Sequence, residues 1–259
     1  MRTTALTFLT AVALSGAAVS PATAANTPGD AATITLGQTY FGDSRPPRYG
    51  LPTGSVWRMP VPLLPGDLVT VAGSYSGSNF LPVGFAGDVD NYDYYGDRWQ
   101  DDSAAANADG VEYFESGAGS RLRLTLRRGC TTCYLELGAN GFNTGYNGAY
   151  QFVVESIQHQ MGLALDRVSS VKRRGWVRGN SRLTNNTAVP DGTRISLVVT
   201  GKGGQRWTYS TTTLKGQVRI KLRLPKKVID KKVRLSLVKS EDASWRAASS
   251  PVAKVKVRR

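Results

Sequence analysis

Apolar and polar residues alternate with a period of two through most of the stretch from Ile195 to Val257. Val218, Ile220, Leu222 and Leu224 alternate with Arg219, Lys221 and Arg223. Val233, Leu235 and Leu237 are interleaved with Arg234, Ser236 and Val238, and Ala253, Val255 and Val257 with Lys254, Lys256 and Arg258. Ile195, Leu197 and Val199 take turns with Arg194, Ser196 and Val198 in the same way. Successive side chains of a strand point to opposite faces, so the pattern specifies strands with one buried face and one solvated, cationic face. A small β-sandwich buries such faces against each other.

The first half alternates in shorter pieces. Thr33–Leu36, Val56–Val61, Leu68–Val71, Arg121–Leu126, Cys133–Leu137 and Tyr150–Glu155 each read as a strand, separated by Gly, Asn, Asp and Pro turns. Leu64-Pro65-Gly66-Asp67 is one such turn. The 28 glycines and 12 prolines suit turns and short strands, and no helical stripe is present. The expected fold class is all-β, with two antiparallel β-sandwich domains.

Charge divides the chain sharply. Residues 25–160 hold 8 Arg, no Lys and 14 Asp or Glu, a net of −6, whereas residues 161–259 hold 24 Lys or Arg and 5 Asp or Glu, a net of +19. This shift predicts an acidic domain over 25–160 and a basic one over 161–259. Met1 to Ala24 reads as a secretory signal: Arg2 starts it, Leu6 to Val19 form a short apolar run, and Ala22-Thr23-Ala24 fits a cleavage site. Nothing later resembles a transmembrane helix. The mature chain is expected to be secreted or cell-surface associated.

Residues 163–257 resemble the immunoglobulin-like modules of secreted bacterial proteins. The resemblance lies in Gly175-Trp176-Val177-Arg178-Gly179, Val189-Pro190-Asp191-Gly192-Thr193, Trp207-Thr208-Tyr209 and the closing Ser244-Trp245-Arg246 segment before a Val-x-Val strand. Residues 30–156 resemble the jelly-roll modules appended to secreted peptidases, through Pro65-Gly66-Asp67 and Gly148-Ala149-Tyr150. Both resemblances imply a style of fold, jelly-roll-like and then immunoglobulin-like, and neither implies an activity.

One histidine and two cysteines exclude multi-histidine metal sites, Cys-rich zinc sites and a dense disulfide framework. Cys130-Thr131-Thr132-Cys133 falls where two strands reverse, so a structural disulfide is expected in an exported chain. Asp88, Asp90 and Asp93 supply carboxylates suited to calcium on a turning loop, although the EF-hand pattern is absent. No other cofactor is indicated. Tyr92, Tyr94, Tyr95 and Trp99 interleave with them and offer stacking platforms for a glycan, or simply rings packed at a sandwich edge.

His159 must serve any histidine-dependent hydrolase mechanism, yet no nucleophile motif points to it. The chain is therefore expected to lack catalytic residues; glycan binding and secreted hydrolysis, the latter through His159 or the Asp cluster, stand as alternatives. The basic half carries the main functional expectation. Arg219, Lys221, Arg223, Lys226, Lys227, Lys231, Lys232, Lys254, Lys256 and Arg258 predict contact with an anionic cell-wall polymer, acidic glycan or other extracellular polyanion. No helix-turn-helix, zinc finger or other nucleic-acid module is present, which argues against sequence-specific reading of DNA or RNA.

Overall fold

The computed structural model describes residues 31–44, 55–77, 80–87, 112–115, 117, 119–126, 129–137 and 148–259. Residues 1–24, expected to be a secretory signal, the calcium candidates Asp88, Asp90 and Asp93, and the glycan candidates Tyr92, Tyr94, Tyr95 and Trp99 lie outside the described residues.

Among the described residues, eight strands make the first sandwich: β1 (Thr39–Ser44), β2 (Ser55–Arg58), β3 (Leu68–Tyr75), β4 (Phe80–Gly87), β5 (Glu112–Glu115), β6 (Gly119–Thr125), β7 (Cys133–Leu137) and β8 (Gly148–Gln158). They form two antiparallel sheets, ordered β1-β8-β3-β6 and β2-β7-β4-β5. The chain crosses between sheets at almost every step, which is jelly-roll wiring. Its core is aromatic. Trp57 and Phe152 meet edge-on at 5.4 Å, Tyr40 lies 4.8 Å from Trp57, and Phe85 and Phe114 are fully buried beside them.

The second sandwich contains β9 (Met161–Leu165), β10 (Ser170–Lys172), β11 (Trp176–Leu183), β12 (Arg194–Thr200), β13 (Arg206–Thr212), β14 (Gln217–Lys221), β15 (Lys232–Lys239), β16 (Ala248–Ser249) and β17 (Ala253–Arg258). One sheet is ordered β14-β11-β9; the other is β10-β17-β15-β12-β13, with β16 attached to β15. All pairs are antiparallel except β10 with β17. A three-stranded sheet packed on a larger one, with the opening strands divided between them, is an immunoglobulin-like arrangement. Val177, Val218 and Ile220 from one sheet pack with Ile195, Leu197, Leu235, Leu237, Val255 and Val257 from the other. Each such side chain contributes about 1.5–3 kcal/mol on leaving water.

The alternation from Val218 to Leu224 predicts one strand, but β14 stops at Lys221. Beyond it, Leu222 N donates to Gly175 O at 2.8 Å and Leu224 N to Arg173 O at 3.0 Å. These bonds keep Leu222 and Leu224 buried and Arg223 exposed without a continuous ladder. A single 3-10 turn follows, Lys226–Val228, with Val228 turned into the core and both lysines in water.

Only His159 and Gln160 separate β8 from β9. His159 N donates to Ser244 O at 2.9 Å and Arg246 N to His159 O at 3.0 Å, so the connection is itself paired with the loop before β16.

Candidate functional site

The cations predicted from sequence stand on both outer faces of the second sandwich. Arg219 and Lys221 belong to β14, in the three-stranded sheet, whereas Lys254, Lys256 and Arg258 belong to β17, in the larger one. Inward neighbours of both strands share one core, so the exposed cations point in opposite directions.

On the three-stranded face, Trp176 is opposite Lys221, Arg178 opposite Arg219, and Asn180 opposite Gln217. Arg219 Cζ lies 4.7 Å from the Trp176 ring centroid and Lys221 Nζ 5.9 Å, distances at which a cation is drawn to the ring face. A concavity of about 640 Å³ continues along this face, lined among others by Asp166, Arg178, Asn180, Arg182, Lys215, Gln217 and Arg219.

The opposite face is richer in lysine. Lys232 faces Lys256, Arg234 faces Lys254, and Lys172 faces Arg258. At one end of this sheet a cleft of about 660 Å³ is lined by Lys202, Lys231, Lys232, Arg234 and Lys254, with no carboxylate among its lining residues. The Gly201–Gly204 hairpin between β12 and β13 closes it, its Gly203 and Gly204 both at positive φ. Lys256 is held by Asp230 at 3.7 Å. Lys226 and Lys227 lie on the 3-10 turn, exposed and outside the cleft lining.

The joint between the sandwiches holds the only histidine. Leu64–Asp67 makes a turn in which Asp67 N donates to Leu64 O at 3.0 Å and Gly66 has φ +86°, as a type II turn requires. The Asp67 side chain is fully buried and faces His159 Nδ1 at 2.8 Å. It also accepts from Leu64 N at 2.9 Å and Gln160 N at 3.2 Å. The hydrogen bond to Asp67 raises the His159 pKa above its ordinary 6.5; partial burial pulls the other way and the Asp67 charge adds to the rise. From the second sandwich, Arg246 donates to Gly66 O at 2.7 Å, and the Trp245 ring lies 5.7 Å from the imidazole. Among the described residues no serine or cysteine side chain is hydrogen-bonded to the His159 ring.

Close by, Lys239 is buried and donates to Asp242 and to Ser240 O. Gln158 Nε2 bonds Glu241 at 3.3 Å, and Arg123 reaches Glu241 at 3.6 Å. Cys130 and Cys133 form a disulfide with Cα atoms 5.4 Å apart. Backbone bonds between Cys130 and Leu63, at 2.9 and 3.1 Å, tie that turn to the neighbouring chain. No helix among the described residues is long and apolar enough to cross a membrane, and no group of three His, Cys, Asp or Glu among them is placed to hold a metal ion.

Reasoning from sequence missed Arg178, Arg182, Lys202 and Arg234, and took Trp176 only as a mark of the fold. Period-two spacing had already set Arg234 between Val233 and Leu235, so that residue was within reach. Lys202 was not, because only folding brings the hairpin over the start of β15.

No protein-family model matches the chain, and no curated protein matches it. Among solved structures, it is similar to the adhesin domain of Epf from Streptococcus pyogenes, at 11% identity and TM-score 0.36, covering 80% of this chain and 73% of that one. A DUF4785 family protein from Legionella pneumophila shares 14% identity at TM-score 0.27, over 86% of this chain. The match spans 61% of the length of that protein. A putative beta-galactosidase from Bacteroides fragilis shares 12% identity at TM-score 0.25, over 82% of this chain and 34% of its own. These are slight likenesses between β-rich chains, and they carry no argument about activity.

Proposed function

We propose that this is an exported, non-catalytic binding protein whose basic sandwich contacts an extracellular polyanion such as an anionic cell-wall polymer or acidic glycan. The register of like charges carries this reading. Arg178 with Arg219, Lys232 with Lys256, Arg234 with Lys254, and Lys172 with Arg258 are placed directly opposite one another. Like charges so placed destabilise a sheet, by roughly 0.2–1 kcal/mol on the scale of cross-strand pairs. Lys and Arg on edge strands commonly serve to block sheet-to-sheet aggregation. That role does not explain Arg234, Lys256 or Arg178, which are flanked on both sides: Arg234 by Lys254 and Thr200, Lys256 by Lys232 and Ser170, and Arg178 by Arg219 and by Asp166, whose N donates to Arg178 O. A bound polyanion relieves the repulsion and releases counterions.

The Cys130–Cys133 disulfide and the signal-like opening support export. So does the style of fold, which resembles modules of secreted bacterial proteins.

The test is salt-stepped binding of the full mature chain to isolated cell envelopes, beside a variant with Lys232→Ser, Arg234→Thr and Lys254→Thr. The parent is expected to lose binding steeply as salt rises. The variant should bind more weakly and with a shallower salt slope, by about one unit per phosphate-type contact removed. Binding that ignores both salt and the three substitutions would overturn the reading.

A further inference from the structure

The two cationic faces differ in chemistry. The cleft face presents one arginine among four lysines, whose ammonium groups are hydrated point charges that serve any anion. The three-stranded face presents arginines, amides and an indole. Trp176 is 51% exposed, in a strand whose inward residues Val177, Gly179 and Ser181 are buried. Arg219 and Lys221 lie over this ring, yet about half of it stays in water, and a large apolar group so placed is the kind that binding surfaces use.

The rows run in order along the sheet: ring and lysine at Trp176 and Lys221, two guanidiniums at Arg178 and Arg219, two amides at Asn180 and Gln217. Successive rows are about 6.8 Å apart. Arg178, Arg219 and Lys221 have no carboxylate within ion-pair distance among the described residues. On the far side of β11, Asn180 faces Ala164 and Arg182 faces Gly162, small residues that leave those rows open, while Asp166 follows β9 beside Arg178, its N donating to Arg178 O at 3.1 Å.

A flat ring suits the C–H face of a sugar; a planar guanidinium suits a carboxylate, which it can grip through two parallel bonds. Side-chain amides both donate and accept, as hydroxyl groups require. We propose that this face binds a uronate-bearing polysaccharide, with a sugar ring on Trp176, carboxylates on Arg178 and Arg219, and hydroxyls on Asn180 and Gln217. The proposal rests on the polyanion reading and narrows it for one face. A single-stranded nucleic acid is less well matched, because it stacks successive bases on a succession of rings, and here amides follow the one ring.

The full mature chain, titrated with oligogalacturonate and separately with inorganic polyphosphate, tests this. Trp176→Ala is expected to weaken oligogalacturonate binding about tenfold and to leave polyphosphate binding within about twofold. Trp176→Phe, which keeps a ring, should restore most of the loss, and unchanged melting of both variants checks the fold. Equal oligogalacturonate binding by parent and Trp176→Ala overturns the assignment. So does preferential displacement of oligogalacturonate by a single-stranded DNA oligonucleotide. If the parent binds polyphosphate but not oligogalacturonate, the uronate assignment fails and the polyanion reading survives; if it binds neither, both fail.

Discussion

Asp67 and His159 meet at 2.8 Å across the joint between the two sandwiches, a fully buried carboxylate against a partly buried imidazole. The two residues are 92 positions apart, and the pair ties the Leu64–Asp67 turn of the first sandwich to the short connection that leads into the second. Because the folded-state pKa of His159 is raised above 6.5, the pair contributes stability fully below about pH 6.5. That contribution is lost as pH rises through the folded-state value. Thermal melting of the parent and of His159→Gln should therefore differ most below about pH 6.5, and the gap should narrow as pH rises through the raised folded-state value. A gap that stays constant over this range would remove the pair from the account of stability.

Asp67→Ala removes the acceptor for Leu64 N, Gln160 N and the imidazole together. Buried donors left without partners cost about 1–3 kcal/mol each when water cannot reach them. His159 is partly exposed and recovers some of its share in water, so the expected total is about 2–4 kcal/mol. Urea unfolding measures it, and a loss below about 0.5 kcal/mol would mean that the turn is not held by this carboxylate.

Arg234→Thr should move stability and binding in opposite directions. It relieves the repulsion opposite Lys254 and places a β-branched residue on an interior strand. The expected gain is about 0.2–1 kcal/mol at low salt, shrinking as salt screens the parent's charges. Polyphosphate binding should fall at the same time. A variant that is less stable at low salt would contradict the repulsion argument.

Reducing the Cys130–Cys133 disulfide opens a loop of only about four residues. Chain entropy for so short a loop amounts to about 2 kcal/mol. Melting with and without a reductant should show a modest drop and a chain that remains folded, since Leu63 still pairs with Cys130 through the backbone. Unfolding at room temperature on reduction would show that the crosslink holds far more than its own turn.

The inside and outside of β14 and β17 were legible from linear spacing, whereas in β12 Val198, set among the outward residues by the alternation, is buried. Val218, Ile220, Leu222 and Leu224 are all buried, while Arg219, Lys221 and Arg223 between them are exposed. The Pro65-Gly66 turn and the Cys130–Cys133 crosslink were equally readable, because each depends on neighbouring residues. Period two says which residues face away from a core; it does not say which of two sheets they face away on. For that reason Arg219 and Lys254 looked alike in sequence yet stand on opposite surfaces. Contacts such as Asp67 with His159, or Lys202 near Lys232, depend on how sheets and hairpins pack, and no local pattern encodes them.

The placement of cations on two outward faces of one thin sandwich has a consequence for stoichiometry. A rigid rod or a flat anionic surface can touch only one of those faces at a time. On the proposed polyanion reading, a short oligomer would fill one face and leave the other for a second, so saturation should count two ligands for each protein. A long flexible polymer can instead wrap the rim and occupy both, or leave one face to capture a second strand. In dilute polymer the protein would coat individual chains; in dense polymer it would join them.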